Sequence, residues 1–184
     1  MSGLLLRFAR AVGVITAAAG LCSFATTVSP LTESASAGAY LTLSSFDSRL
    51  LADINHARAA RGIRTLTAVA GTTDIAHGWS CKLASLRYLE HNPSLGSQLD
   101  THGSYNWTAY GENVGMESSS ADADALFRAY MASPMHRANI LDSDYKFIGI
   151  YTKRTSAFRW NTLDFVGRTS TAYNWGYGAT RKSC

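Results

Sequence analysis

The stretch from residue 111 to residue 141 begins with Gly-Glu-Asn-Val-Gly (111–115) and ends with Ser-Pro-Met-His-Arg-Ala-Asn-Ile-Leu (133–141). Glu112 is flanked by glycines, which allow a backbone and a ligand to approach closely. An acid in this setting is unusual for a solvated loop. The second motif adds His136, and His91 lies upstream. We predict that these two imidazoles and one carboxylate meet in one site.

The segment around His136 has the sequence of a helix start. Ser133 suits the N-cap and Pro134 suits the first helical position, so His136 falls in the first turn. The positive end of the helix dipole disfavours a protonated ring there, which keeps a lone pair free for a metal ion or a proton. The structural alternative is that His136 only forms a hydrogen bond with a neighbouring carbonyl group.

Residues 1–37 have the pattern of a secretory leader. Arg7 and Arg10 precede an uncharged, alanine-rich run, and Ala-Ser-Ala (35–37) resembles a cleavage site. We predict a signal peptide over 1–37, a short linker over 38–45 and one domain over 46–184. An uncleaved membrane anchor is the alternative, and a lipid anchor at Cys22 is disfavoured because Leu21 precedes it. After cleavage we expect a secreted, extracellular protein without a permanent membrane span.

Charge and cysteine content limit the classes of partner. The formal net charge is +4, with the charges interspersed and no basic run, so we expect no nucleic acid partner. A mild positive balance suits contact with an anionic cell envelope.

Cys81 and Cys184 would be the cysteines left after cleavage, and an oxidising compartment favours a disulfide between them. Such a bridge would contribute on the order of 4 kcal/mol in the chain-entropy model, and two free thiols are the alternative.

Hydrophobic periodicity predicts helices early in the chain and strands later. We expect helices over 45–62 and 73–89, a third starting at 118–120, and a short one after Ser133. Residues 145–151 and 158–166 predict an antiparallel hairpin, a strand is possible near Ala109, and a last strand or aromatic strap is possible around Tyr173 to Tyr177. This order indicates an α+β layered domain.

Polar residues within the first two helices are given structural roles. We expect Arg58 to bind a carbonyl or carboxylate group at the end of the first helix. His56 and His77 lie away from the apolar stripes, and we expect both to be solvated.

Several motifs occur in a fixed order along the chain: Asn55-x-x-Arg58-x-x-x-Gly62, His91, Gly111-Glu112-Asn113-Val114, Ser133-Pro134-x-His136-Arg137-Ala138-Asn139-Ile140-Leu141, and Gly149. In this order they resemble the CAP superfamily, which includes cysteine-rich secretory proteins, venom antigens and plant pathogenesis-related proteins. The chain is most similar to the bacterial, SCP-like secreted branch.

This resemblance implies a three-layer α-β-α sandwich with a small antiparallel sheet and a cleft. In that cleft His91, Glu112 and His136 would hold a divalent cation, with zinc as the candidate. Asn113, Ser133 and Arg137 would support the cleft or its motifs. Eukaryotic members carry a further glutamate where this chain has Ser133, so the resemblance supplies no fourth protein ligand.

Three functions follow from these observations. The first is a secreted binding or effector module that recognises a lipid, a sterol or a cell-envelope component. The second is a metal-assisted hydrolase of peptide or envelope material, since two imidazoles and a carboxylate leave a position open for water. The third is a structural protein of the cell surface. We expect a binding module rather than a conventional enzyme, because no further general base or oxyanion stabiliser is evident.

Overall fold

The computed structural model describes residues 41–101, 107–168 and Cys184. The predicted leader, the first three residues of the predicted linker (38–40) and the aromatic segment from Tyr173 to Tyr177 lie outside the described residues. The described elements, in chain order, are α1 (Ser45–Ala59), β1 (Thr67–Ala68), α2 (Ala70–Leu86), α3 (Leu95–Thr101), β2 (Trp107–Ser118), α4 (Ala123–Ala132), α5 (Pro134–Ile140), β3 (Phe147–Arg154) and β4 (Phe158–Arg168).

Most of the predicted elements are present, and their boundaries show where local pattern is insufficient. The hairpin is confirmed as β3 and β4. The third helix starts later than predicted, because β2 continues through Ser118 and Asp122 caps α4. A further helix, α3, precedes this region, and the strand considered near Ala109 is present as the start of β2.

Within the described residues the sheet has four strands in the order β1-β3-β4-β2. β3 pairs antiparallel with β4, and β4 pairs antiparallel with β2 along most of its length. The predicted small antiparallel sheet is present as β2, β4 and β3, and β1 adds a parallel strand beside β3, so the described sheet is mixed. Parallel pairing follows from the long connection between β1 and β3, which crosses the sheet before returning to it. Glu112 is on β2, at an edge of this sheet.

Helices cover both faces of the sheet, so the predicted three-layer α-β-α architecture is confirmed. Side chains alternate along a strand between the two faces. On one face α1, α4 and α5 pack over a core that includes Leu50, Ile54, Leu126, Ile140, Ile148, Leu163 and Phe165. On the other face α2 and α3 pack over Val69, Ile75, Leu95, Leu99, Phe147 and Val166, with Trp79, Leu83, Val114 and Trp160 beside them.

Arg58 ties the end of α1 to the loops around it, as predicted. The side chain is fully buried. Its guanidinium group donates to four backbone carbonyl oxygens, those of Arg64 at 2.7 Å, Ile140 at 2.8 Å, and Asp142 and Tyr145 at 2.9 Å. A single buried cation therefore organises the carbonyl groups that follow α1 and α5.

Cys81 and Cys184 form the predicted disulfide, with their Cα atoms 5.8 Å apart and a sequence separation of 103 residues. The bridge joins α2 to the distant Cys184.

His56 is exposed, as predicted, but the prediction for His77 was wrong: its ring is half-buried and packs edge-on against Tyr151 at 4.4 Å. Among the described residues, no helix has both the length and the apolar character needed to cross a bilayer.

Candidate functional site

The site is arranged around Glu112 on the edge strand β2. The carboxylate points to the α2 side of the sheet, where β2 carries Val114 in contact with α2 residues. Its side chain is only 5% exposed. Because β2 pairs only with β4 among the described strands, groups from helices on both faces can reach Glu112 around the other side of β2.

His91 contacts Glu112 directly. Its Nδ1 lies 2.7 Å from Oε1 of Glu112, which is hydrogen-bond distance when the ring carries its proton on Nδ1. The backbone N–H of Asn92 donates to the same carboxylate oxygen at 2.9 Å. His91 itself is 66% exposed, so its Nε2 is available to solvent or to a ligand. The structure thus brings together two of the three predicted site residues.

The carboxyl group of Glu112 experiences opposing influences. Burial raises its pKa, while the Asn92 N–H and the His91 ring oppose that rise. Its second oxygen, Oε2, is buried and accepts no hydrogen bond from the described residues. A buried carboxylate oxygen without a donor is costly, and a bound cation is one way to satisfy it.

α5 begins as its sequence predicts. Ser133 is the N-cap, its side chain accepts from the His136 N–H, and Pro134 occupies the first turn. Two asparagines connect α5 to β2. Asn113 Nδ2 donates to the His136 carbonyl oxygen at 3.0 Å, and Asn139 Nδ2 donates to the Glu112 carbonyl oxygen at 3.1 Å. These contacts fix the His136 backbone relative to the Glu112 backbone.

Arg137 lies beside these groups but contacts the end of α4. Its Nη1 donates to the Met131 carbonyl oxygen. Arg137 and Ser133 are therefore placed to hold α4 and α5 in their mutual orientation, and Asn113 is placed to hold α5 on β2.

The His136 ring is half-buried against Tyr130, with the ring centroids 5.2 Å apart in an edge-on geometry. Tyr130 is itself buried and donates to Asn161 Oδ1 at 2.8 Å. Burial lowers the pKa of His136, and the charge of His91 lowers it further. A neutral ring with a lone pair is the form that binds a metal ion.

Asp164 belongs to this environment and was missed from sequence. It is the register partner of Glu112 on β4 and is fully buried. Neither carboxylate oxygen accepts a hydrogen bond from the described residues. Burial and, secondarily, the charge of Glu112 raise the pKa of Asp164 well above its usual value. The available sequence signal was an acid within the otherwise largely apolar run from Leu163 to Val166.

Exposed apolar side chains adjoin the site in the sequence and on the strand. Tyr88 and Leu89 precede His91, Tyr110 and Met116 share the Glu112 face of β2, and Met135 precedes His136; all five are at least 40% exposed. We call this set the apolar rim. Contiguous exposed apolar surface is typical of ligand or membrane contacts.

The donor types suit a divalent cation, but the three ligand atoms are not closely gathered. Among the described residues, His77, Cys81 and Cys184 are the group whose ligand atoms all lie within 4.8 Å of one another, and His91, Glu112 and His136 do not form such a group. Binding at the predicted site therefore requires a side-chain rotation. The exposed ring of His91 is the one with room to make it.

A separate cleft of about 530 Å³ lies at the N-terminal ends of α1 and α4. None of the predicted metal ligands lines it. Its three arginines already have partners: Arg49 pairs with Asp53 and Asp124, Arg154 donates to a backbone carbonyl group, and Arg159 stacks on Phe46. This cleft is polar and differs in character from the apolar rim.

Comparison with known proteins agrees with this architecture. A sequence profile of the cysteine-rich secretory protein family, CAP, matches residues 51–165. The chain belongs to the CAP family. Comparison with curated proteins returns no significant match.

Several solved structures share the CAP fold. An outer surface protein of Borrelia burgdorferi is similar with a TM-score of 0.61 and 16% identity, over 70% of this chain and 97% of its own. An extracellular SCP-domain protein of Bacillus anthracis gives a TM-score of 0.56 and 21% identity, over 70% of this chain and 45% of its own. NaASP2, solved with Zn2+, gives a TM-score of 0.51 and 12% identity, over 67% of this chain and 83% of its own. At these identities the likeness establishes the fold alone.

Proposed function

We propose that this CAP protein is a secreted binding module that holds a divalent cation, with zinc as the candidate, at His91, Glu112 and His136. We further propose that the apolar rim binds a lipid, a sterol or another apolar envelope component. The observation that carries the proposal is the 2.7 Å contact between His91 Nδ1 and Glu112 Oε1, which leaves His91 Nε2 exposed beside a buried carboxylate.

The cation proposal is supported by the chemistry of the donors. A metal-binding histidine commonly uses its other ring nitrogen to contact a carboxylate, which fixes the tautomer and the ring orientation. In its described position Glu112 contacts His91 Nδ1 in this way. Rotation of the His91 ring would free Oε1 to bind the cation together with the buried Oε2, which accepts no hydrogen bond from the described residues. The lowered pKa of His136 keeps the third donor neutral. NaASP2, which has the same fold, has been solved with Zn2+.

A binding role is favoured over hydrolysis by the occupation of the nearby polar groups. Hydrolysis by a metal-bound water needs a positioned base. Glu112 Oε1 already accepts from Asn92 and contacts His91, and the Ser133 hydroxyl oxygen accepts from the His136 N–H. A rim of exposed apolar side chains suits recognition of an apolar ligand more directly than it suits chemistry on a peptide.

The proposed cation site is tested by titrating the metal-free protein with Zn²⁺ in a calorimeter. The variants are His91→Ala and His136→Ala, with His56→Ala as the matched control on the exposed face of α1. We expect one tight site in wild type and in His56→Ala, and a loss of affinity in each of the other two. Equal affinity in all four proteins would rule out the proposed ligands.

The proposed binding of an apolar ligand by the apolar rim is tested by co-sedimentation with vesicles that contain or lack sterol. Met135→Ser removes a side chain that is 78% exposed, and Ala60→Ser, at an exposed apolar position just after α1 and outside the apolar rim, is the control. We expect Met135→Ser alone to weaken binding. Turnover of esters, peptides or peptidoglycan that depends on Zn²⁺ and His136 would instead favour the hydrolase.

A further inference from the structure

A second group of potential metal ligands lies on α2, away from the residues of the proposed cation site. His77 and Cys81 are four positions apart on this helix, so their side chains project from the same side one turn apart. Cys184 is joined to Cys81 by the disulfide. The ligand atoms of these three residues all lie within 4.8 Å of one another, and His77 Nε2 is 3.7 Å from Cys81 Sγ.

β3 positions both the histidine and the distant cysteine of this group. The His77 ring packs edge-on against Tyr151, with an interplanar angle of 83°. Two residues further along the same strand, Lys153 Nζ donates to the backbone oxygen of Cys184 at 3.0 Å. Cys184 is therefore linked to β3 by this contact and to α2 by the disulfide. After reduction, the Lys153 contact is the described link that would keep Cys184 beside His77 and Cys81.

The oxidation state decides whether this group can bind a metal ion. Disulfide sulfurs are weak ligands, whereas thiolates bind Zn²⁺ and Cu⁺ strongly. An external dithiol can transfer two electrons and two protons to the bridge, so that the dithiol becomes a disulfide and Cys81 and Cys184 become thiols. A metal ion then displaces the two thiol protons. Cys81 is half-buried and Cys184 is exposed, so a reductant can reach the bridge.

We propose that His77, Cys81 and Cys184 form a redox-gated site for a soft transition-metal ion, closed as the disulfide and opened by reduction. Two thiolates and one neutral imidazole give three protein ligands and leave a fourth tetrahedral position for solvent. This site shares no residue with the His91, Glu112 and His136 site. A result that contradicts one of the two proposed metal sites therefore does not contradict the other.

The test uses Co²⁺ as a spectroscopic probe, because cobalt–thiolate coordination produces an intense near-ultraviolet charge-transfer band. The full chain is reduced with a phosphine, freed of reductant without oxygen, and titrated with Co²⁺ and then with competing Zn²⁺. We expect the band at one metal ion per chain in reduced wild type and in reduced His91→Ala. We expect no band in the oxidised protein or in Cys81→Ser.

The His77→Ala variant gives the more specific test, because it leaves both cysteines in place. Removing an outer-shell partner alone lowers the affinity of a metal site by at least roughly tenfold. Reduced His77→Ala would lose a direct ligand, so we expect its affinity to fall by at least this factor. Affinity equal to wild type in His77→Ala would overturn the proposal, as would the absence of a thiolate band in reduced wild type. Near-ultraviolet circular dichroism must show that the reduced chain keeps its tertiary structure. Loss of that signal would also contradict the proposal, because the site depends on the contact between α2 and β3.

Discussion

Glu112 and Asp164 face each other across β2 and β4 as register partners, and each has a buried carboxylate oxygen that accepts no hydrogen bond from the described residues. Two adjacent buried carboxyl groups cannot both be ionised without a large cost. Burial raises the pKa of both groups, and the charge of Glu112 raises the pKa of Asp164 further. Asp164 thus lies beside Glu112, the carboxylate assigned to the proposed cation site.

Replacing Asp164 should remove this cost. The folded chain holds the Asp164 proton to a higher pH than the unfolded chain, whose carboxyl group titrates near pH 3.9. The associated stabilisation is complete below that pH and is lost as pH rises towards the raised folded pKa. Asp164→Asn should therefore be increasingly more stable than wild type from about pH 4 upwards. Thermal unfolding in chelator, over a series of pH values, measures this difference.

The control is Asp142→Asn, which alters an aspartate of intermediate burial outside the sheet. A stability difference between Asp164→Asn and wild type that stays constant with pH would show that the Asp164 proton is not responsible.

Removing the Arg58 side chain should destabilise the fold severely. Arg58→Ala leaves the four carbonyl oxygens that it binds without this donor, and each buried unsatisfied group costs about 1–3 kcal/mol. We expect a loss of at least 3 kcal/mol, in line with the roughly 3–5 kcal/mol seen when a buried charged partner is removed. Chemical denaturation measures this loss.

Arg61→Ala is the matched control, because Arg61 is exposed and donates to one carbonyl oxygen. It should change the free energy of unfolding by less than about 1 kcal/mol. Similar losses for the two variants would contradict the role given to Arg58.

Gly149 permits the close approach of α2 to the sheet. A Cβ atom there would clash with the Thr72 carbonyl group, whereas one at Gly78 on α2 would meet nothing within 4 Å. Gly149→Ala should cost at least the roughly 1–3 kcal/mol of an overpacked core. Gly78→Ala should instead stabilise the protein by about 0.5–1 kcal/mol, since alanine is favoured over glycine in a helix. Paired thermal melts distinguish the two, and a stable Gly149→Ala would contradict the packing described for α2.

Much of the fold was predictable because its signals are local. The apolar stripe of α1, the Ser133 cap of α5 and the alternating pattern of the hairpin each lie within a few residues of sequence. The end of α2 was not predictable in this way. It stops at Leu86 because Arg87 adopts the left-handed conformation with φ 62°. Glycine is the usual residue there, so the sequence carried no stop signal.

β2 and His77 show where prediction from local sequence fails, because both depend on contacts with residues far away in the chain. Residues 111–118 are extended because they pair with β4, some fifty residues later. Likewise, His77 was expected in solvent because its Tyr151 partner lies on a distant strand. For the candidate site, sequence identified His91, Glu112 and His136 by residue type, but the contact between His91 and Glu112 required the fold. The burial of Asp164 required it as well.

The most direct test of the central claim is anomalous X-ray diffraction from crystals grown with Zn²⁺, collected above the zinc absorption edge. We predict an anomalous peak about 2.0–2.1 Å from ring nitrogens of His91 and His136 and next to a carboxylate oxygen of Glu112. A fully oxidised crystal with no peak there, or with zinc bound only by other residues, would contradict the proposal.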